Sequence, residues 1–222
     1  MLRDAVLVAG KDLRVEARSR VALNQVAPFA ILVLVLIAFA LDPDRGILAR
    51  ASAGLFWVAV AFTALLAVQR SFAIEVADGA RDGLRLSGLD PAGIFLGKAG
   101  AVAAELAALE VLLAAGVVVL YDTDLRGVGL LVLTCTLATL AIAAAGTLYG
   151  VLAAGARTRE TLLPLLLVPV MAPVVLSATK ASEAALTSAG SDAWPWVRLL
   201  GAFAAVYVAV GTVAFGPLLE DA

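Results

Sequence analysis

The sequence predicts an all-α membrane protein with six transmembrane helices, an N-terminal interfacial helix and both termini in the cytoplasm. Of its 222 residues, 63% are hydrophobic and only 15% are charged, whereas soluble domains carry about 25% charged residues. Apolar runs long enough to cross a hydrocarbon core of about 30 Å recur along the whole chain. We predict a single transmembrane domain over 1–222, with spans near 21–41, 51–74, 99–121, 127–156, 161–179 and 197–219.

The first 20 residues place apolar side chains such as Leu2, Val6 and Leu13 among charged ones with a loose helical period. This pattern predicts an amphipathic helix lying along the inner leaflet; the alternative is a frayed cytoplasmic tail. Ala38-Phe39-Ala40 fits a signal-peptide cleavage pattern. The preceding apolar run is longer than the usual h-region, so we expect the first span to be retained.

The distribution of Lys and Arg predicts the orientation of the chain. With the N-terminus inside, only five of the 16 basic residues fall on the outer side: Arg45, Arg50, Arg126, Lys180 and Arg198. Both termini are therefore predicted to be cytoplasmic, and residues 75–98 form the largest cytoplasmic loop. The outer segment 180–196 is polar and ends in Trp194 and Trp196, which suit a membrane interface. We expect it to form a short helix that folds back on the outer surface.

The composition argues against several kinds of site. The chain contains no histidine and one cysteine, so neither a Cys/His metal cluster nor a disulfide framework is expected. Cys135 lies in an apolar run and is predicted to be a small core residue. An axial haem ligand would have to come from the sparse set Cys135, Tyr149 and Met171. No basic run of the kind that binds nucleic acid is present, and we expect no bound metal.

Residues 93–99 partly match a phosphate-binding P-loop. The spacer between Gly93 and Gly97 is one residue too short, and Ala99 replaces the hydroxyl residue that holds Mg²⁺. Lys98 is instead interpreted as a side chain that snorkels to the membrane interface. We therefore predict that the chain has no nucleotide site and no ATPase activity of its own.

A second partial match is to the metal-binding motif of the CDP-alcohol phosphotransferases. Glu75 replaces the first aspartate of DxxDGxxAR, and two residues are missing between Asp78-Gly79 and Ala80-Arg81. The spaced aspartate pair downstream is also missing, so a two-metal site lacks its carboxylates. A lipid-head-group transferase that uses Glu75 and Asp78 remains the alternative from another class of protein.

The same segment has the charge pattern of a docking surface. Charges of both signs follow directly on a span, and such charges supply orientation and on-rate. Leucines add apolar contacts, and glycines make a long helix unfavourable. We predict that this segment couples the chain to a partner ATPase through Glu75, Asp78, Gly79, Arg81, Asp82, Leu84, Arg85 and Leu89. The alternative is a solvated loop without a partner.

Two acidic residues, Glu105 and Glu110, interrupt the third span. Ionisable side chains inside a membrane are functional candidates, but their spacing of five residues places these two on different faces. Glu105 could pair with Asn24, Gln25 or Arg70 as structural support, or either acid could serve coupling or the substrate. Pro164, Pro169 and Pro173 in the fifth span could kink a movable helix or reflect the frequency of proline in membrane spans.

The order of several short segments resembles the cytochrome c maturation protein B family, the haem exporter protein B family. These segments are LDP at 41–43, ILARA at 47–51, GLFWVA at 54–59, LLAVQRSF at 65–72, DG at 78–79, LDP at 89–91, LGK at 96–98, LLLVPVMAP at 165–173 and AT at 178–179. The resemblance is strongest from Trp57 to Lys98. It implies a permease subunit of a type-two ABC transporter.

The resemblance also implies partners and cofactors. Such permeases pair as a homodimer with two copies of a separate ATP-binding subunit, cytochrome c maturation protein A. They assemble with a haem-handling membrane protein, a small accessory subunit and a haem chaperone. We therefore expect ATP on the partner subunit, haem on partner proteins and no cofactor bound directly, in a bacterial cytoplasmic membrane. A type-two ABC permease that exports a lipid, drug or polysaccharide is the first alternative, because the same fold would serve it.

Overall fold

A computed structural model describes residues 1–20, 22–41, 45–77, 88–154, 159–187 and 190–221. Within these ranges the regular secondary structure is entirely helical. A π-helical turn, Ala22–Val26, precedes the second α-helix. The α-helices are α1 (Leu2–Ser19), α2 (Ala27–Ala40), α3 (Arg45–Ala77), α4 (Pro91–Tyr121), α5 (Val128–Ala154), α6 (Arg159–Leu186) and α7 (Gly190–Asp221).

Five of the helices in these ranges are long and apolar enough to cross a membrane: Gly46–Phe72, Pro91–Tyr121, Val128–Ala153, Thr161–Leu186 and Gly190–Leu219. A sixth is obtained if Leu2–Ser19 and Asn24–Ala40, which meet at 54°, are counted as one bent span. The all-helical membrane class is confirmed. The count of six, the interfacial position of α1 and the cytoplasmic termini stay predictions.

Helix α4 lies at the centre of the packing and contacts α1, α2, α3, α5 and α7. Two hydrogen bonds from buried aromatic side chains fix neighbouring helices. The indole N–H of Trp57 in α3 donates to Ser182 Oγ of α6 at 3.0 Å. At the end of α4, the hydroxyl of Tyr121 donates to the Leu34 carbonyl of α2 at 3.0 Å. Because water is absent from a bilayer core, such donors need a partner within the protein.

Small residues let the helices approach one another closely. The middle of α5 buries the alanines at 138, 141, 143, 144 and 145 against its neighbours. On α7, a Cβ added to Gly211 would lie 2.0 Å from Cζ of Phe95 in α4, so the ring rests on the glycine backbone. The sequence thus achieves membrane helix packing with small side chains at the contacts.

The expected short helix over 180–196 is wrong for the part of this segment that the structure describes. Helix α6 continues through it to Leu186, and α7 already begins at Gly190. Ala181, Ala184 and Ala185 are buried, whereas the exposed side carries an ion pair between Lys180 and Glu183 at 2.8 Å. The polar stretch is therefore an amphipathic end of α6, which alanine-rich composition keeps helical.

Candidate functional site

Most of the predicted coupling residues fall on 78–87, outside the residues that the structure describes. These are Asp78, Gly79, Arg81, Asp82, Leu84 and Arg85. Glu75 belongs to the last turn of α3, and its side chain is likewise not described. Leu89 is half-buried and packs against the core just before α4. The described part of the candidate site therefore consists of the helix ends that flank this segment.

The chain re-enters helix α4 through a capped turn. Gly88 has a φ of +67°, a conformation that glycine adopts without strain. Asp90 is the N-cap, and its Oδ1 accepts a hydrogen bond from the N–H of Ala92 at 3.1 Å. Pro91 occupies the first helical position, where its missing N–H costs nothing. Helix α4 thus begins eight residues before Ala99, where the sequence suggested that the span begins.

Helix α1 packs directly onto the first turns of α4. A Cβ added to Gly93 would lie 2.8 Å from the Met1 carbonyl oxygen, and one added to Gly97 would lie 2.6 Å from the Ala5 carbonyl oxygen. Val8, whose Cβ would lie 2.7 Å from the atom added to Gly97, is buried. The two glycines that resemble a P-loop therefore serve the close approach of two helices, which is the use of Gly-x-x-x-Gly in membrane packing.

A polar contact accompanies this packing at the N-terminal end of α1. The Asp4 carboxylate accepts a hydrogen bond from the backbone N–H of Asp90 at 3.4 Å. The Met1 amino group, 3.3 Å from Asp4 Oδ2, and this backbone donor hold the pKa of Asp4 below its ordinary value of 3.8. The contact ties α1 to the residue that caps α4.

Lys98 does not snorkel to the interface as the sequence suggested. It is 2% exposed, and its Nζ lies 3.6 Å from Asp12 Oδ2 of α1. The same ammonium stands 5.0 Å from the centre of the Phe72 ring of α3, within the range of a cation–π contact. Helix α1 covers Lys98 and supplies the carboxylate, so the side chain has no need to reach the membrane surface.

Phe72 extends this contact to a fourth helix. A Cβ added to Gly150 of α5 would lie 2.2 Å from the Phe72 ring, and one added to Gly146 would lie 2.6 Å from Val68. The end of α3 therefore rests on a second Gly-x-x-x-Gly stripe. We call Asp12, Phe72, Gly97, Lys98 and Gly150 the Lys98 joint. It connects α1, α3, α4 and α5 close to both ends of segment 78–87.

Sequence reasoning missed Asp12, Phe72 and the glycines of α5. The signal available was the pair of Gly-x-x-x-Gly patterns, GIFLG at 93–97 and GTLYG at 146–150, each of which marks a helix contact in a membrane protein. No sequence pattern identified Asp12 as the partner of Lys98, because 86 residues separate them.

The two intramembrane acids differ in their surroundings. Glu110 is 6% exposed, and its Oε1 accepts a hydrogen bond from Thr139 Oγ1 of α5 at 2.6 Å. Glu105 is half-buried. Among the described side chains, the expected bonds from Asn24, Gln25 or Arg70 to Glu105 are not formed, whereas Glu110 is tied to the neighbouring helix.

Among the same described residues, no three Cys, Asp or Glu side chains lie close enough together to hold a metal ion. Glu75 and Asp78, the residues of the transferase alternative, fall outside this search.

The family match decides what kind of protein this is. A model described as "CcmB protein" matches residues 3–221. The chain belongs to the CcmB family. This confirms the resemblance that the order of its short segments suggested.

Three curated relatives of this CcmB chain are each named "Heme exporter protein B". The protein from Haemophilus influenzae is 29% identical over 175 residues, which cover 79% of each chain. The one from Paracoccus denitrificans is 26% identical over 221 residues, covering 96% of this chain and 94% of the relative. The Rhodobacter capsulatus protein is 28% identical over 166 residues, or 75% and 76%. With its apolar helices, this CcmB chain is a multi-pass protein of the bacterial cytoplasmic membrane.

Proposed function

We propose that this CcmB chain is the membrane subunit of an ABC transporter for cytochrome c maturation. It couples ATP hydrolysis on a separate ATPase to haem delivery or to release of a haem-loaded chaperone. The observation that carries the proposal is the family match over residues 3–221, together with relatives that are named haem exporters. That name favours haem over the lipid, drug or polysaccharide of the first alternative, and no observation favours the transferase alternative.

In this proposal, segment 78–87 is where the partner ATPase applies force. The Lys98 joint supports this role because it lies at the helix ends that flank the segment. Phe72 lies six residues before it, and Lys98 lies eleven residues after it. A displacement of the segment would act on α3 and α4 together and carry α1 with them, since packed interfaces move as units.

Haem in this proposal stays on partner proteins. The chain has no histidine. Histidine is, with Cys, Met and Tyr, one of the residues that serve as axial ligands of haem iron. The proposed assembly contains a homodimer of permeases, the ATP-binding subunit, a haem-handling membrane protein, a small accessory subunit and a haem chaperone. The chain itself needs no cofactor in this role.

The test is deletion of the gene followed by haem staining of c-type cytochromes. We expect the deletion to abolish the stained bands and a tagged copy of the chain to restore them. The tagged copy should also co-purify with a P-loop ATPase. The control is the same rescue in a strain whose ATPase carries a substitution of its phosphate-binding lysine, which should leave the bands absent. Normal c-type cytochromes in the deletion strain would contradict the proposal.

A further inference from the structure

Helix α1 separates its charges by sign. Its three acids, Asp4, Asp12 and Glu16, are half-buried, and the first two contact residues at the start of α4. The other side of the helix carries exposed arginines: Arg3, Arg14 and Arg18. No hydrogen bond or ion pair joins these guanidinium groups to the part of the chain that the structure describes. The helix therefore presents a positively charged side to its surroundings.

The three arginines form one row along α1. Arg14 follows Arg3 by 11 residues, close to three helical turns, and Arg18 follows Arg14 by four residues, close to one turn. Asp4 and Asp12 are bound on the side of α4 instead, so they do not neutralise these cations. We call Arg3, Arg14 and Arg18 the arginine row. Clustered charge of one sign on an exposed surface attracts a ligand of the opposite sign.

An apolar row runs beside the arginine row. It consists of Leu2, Val6 and Leu13, which are 78%, 72% and 40% exposed and share one side of the helix because they are spaced by four and seven residues. Arg3 and Arg14 each come one residue after a member of this row, so the two rows lie about 100° apart around the helix. Exposed apolar side chains of this size favour an apolar neighbour.

Gly10 lies between the two rows, and the side chain of Arg14 reaches back toward it. A Cβ added to Gly10 would lie 3.9 Å from Nη2 of Arg14. The guanidinium group therefore lies on the side of Arg14 that faces the apolar row. Cation and apolar surface are thus neighbours on α1, as phosphate and acyl chain are neighbours at a membrane surface.

The two rows together favour the membrane surface as the surroundings of α1. Within the hydrocarbon core, three guanidinium groups without partners among the described residues would be costly. In bulk water, the apolar row would stay exposed without any gain from burial. At the surface of a leaflet, an amphipathic helix turns its apolar side to the acyl chains and its cations to the headgroups. A soluble polyanion such as a nucleic acid would match the arginine row alone.

We propose that α1 binds the headgroup phosphates of anionic phospholipids. The arginine row contacts the phosphates and the apolar row rests on the acyl chains, a ligand that goes beyond the interfacial position predicted from the sequence. Each arginine near an anionic membrane surface strengthens binding about fivefold, whereas the ammonium group of phosphatidylethanolamine offsets its phosphate. Because Asp12 on the same helix contacts Lys98, bound lipid holds the helix that covers the Lys98 joint.

The test uses the full-length chain in vesicles of phosphatidylcholine that contain a phosphatidylglycerol with a photoreactive group next to its phosphate. Irradiation should label peptides of α1. Ordinary phosphatidylglycerol should compete with this labelling, and phosphatidylethanolamine should compete about fivefold less well or worse. The variant Arg3→Gln, Arg14→Gln, Arg18→Gln should lower the labelling of α1 about tenfold or more, because three favourable charges are lost.

The matched control removes the same charge elsewhere. Arg50→Gln, Arg126→Gln, Arg198→Gln changes three exposed arginines on α3, in the turn after α4 and on α7, and should leave the labelling of α1 unchanged. Since all six arginines are exposed, both triple variants should keep the midpoint of thermal unfolding in lipid-free detergent. Equal labelling of α1 in the two triple variants would overturn the proposal.

Val6→Gln separates a lipid from a soluble anion as the ligand. A lipid needs the apolar row, so the substitution should weaken labelling of α1 with all three arginines in place, whereas a soluble anion would not contact Val6. Inorganic phosphate should compete no better than sodium chloride of the same ionic strength. Unchanged labelling of Val6→Gln, specific competition by inorganic phosphate or equal competition by the two phospholipids would each overturn the proposal.

Discussion

The ammonium group of Lys98 lies 3.6 Å from the carboxylate of Asp12, so a buried cation of α4 is held by the N-terminal helix. The side chain of Lys98 is 3% exposed and that of Asp12 is 17% exposed. Asp12 also contacts Lys11 at 2.7 Å. The two partners are therefore not equivalent, and their substitution should have unequal effects.

We expect Asp12→Ala to lower the free energy of unfolding by about 2 kcal/mol and Lys98→Met by about 1 kcal/mol, below the ~3–5 kcal/mol of a fully buried pair. Asp12→Ala removes the carboxylate beside the Lys98 ammonium, which is the more deeply buried of the two charges. Lys98→Met instead leaves the Asp12 carboxylate in contact with the Lys11 ammonium. Unfolding in detergent measures both changes. The control is Lys180→Met, which breaks an exposed pair on α6 and should cost at most about 0.5 kcal/mol. A larger loss for the control would contradict the role of the joint.

Gly97→Ala should detach α1 from α4. The added methyl would lie 2.6 Å from the Ala5 carbonyl oxygen and 2.7 Å from Val8 Cβ, and a backbone atom cannot move aside cheaply. We expect a loss of about 1–3 kcal/mol, typical of overpacking, together with faster proteolysis within α1. Gly100→Ala on the same helix meets nothing within 4 Å and should be neutral or stabilising. Equal protease sensitivity of the two variants would refute the packing argument.

Gly150→Ala should disturb the packing of the Phe72 ring against α5. The new methyl would lie 2.2 Å from the ring, which also contacts the Lys98 ammonium 5.0 Å from its centre. Thermal unfolding should shift downward, whereas the control Gly129→Ala, in open space on α5, should leave it unchanged. Combining Gly150→Ala with Phe72→Leu should restore part of the loss, because a smaller side chain makes room. A double variant less stable than either single variant would speak against this contact.

Substitutions at Glu110 and Thr139 separate structural support from a functional acid. Glu110→Gln keeps an oxygen that accepts from the Thr139 hydroxyl, so we expect normal stability and normal c-type cytochrome levels. Thr139→Val removes the donor beside a buried carboxyl group and should cost about 1–3 kcal/mol. Haem staining and unfolding midpoints measure the two variants. Loss of cytochromes in a stable Glu110→Gln variant would assign a functional role to the acid.

The sequence predicted the class of fold well because apolar length determines membrane helices almost regardless of tertiary detail. It also identified Glu110 as an unusual residue, since a charge in an apolar run is visible in one dimension. The prediction that Lys98 reaches the membrane interface was wrong, because only the folded chain shows that α1 buries this side chain and places Asp12 beside it. It likewise misjudged 180–196, where alanines that pack inward make a polar segment part of a long helix.

The proposed contact between segment 78–87 and an ATPase is the central claim, and co-purification tests it most directly. The variant Arg81→Asp, Asp82→Arg, Arg85→Asp reverses three of the four charges of the segment. Its control, Asp124→Arg with Arg126→Asp, reverses an exposed pair 3.6 Å apart in the turn that follows the other end of α4. At equal membrane levels, the control should retain the ATPase and the segment variant should lose most of it. Equal recovery of the ATPase with both variants would contradict the account.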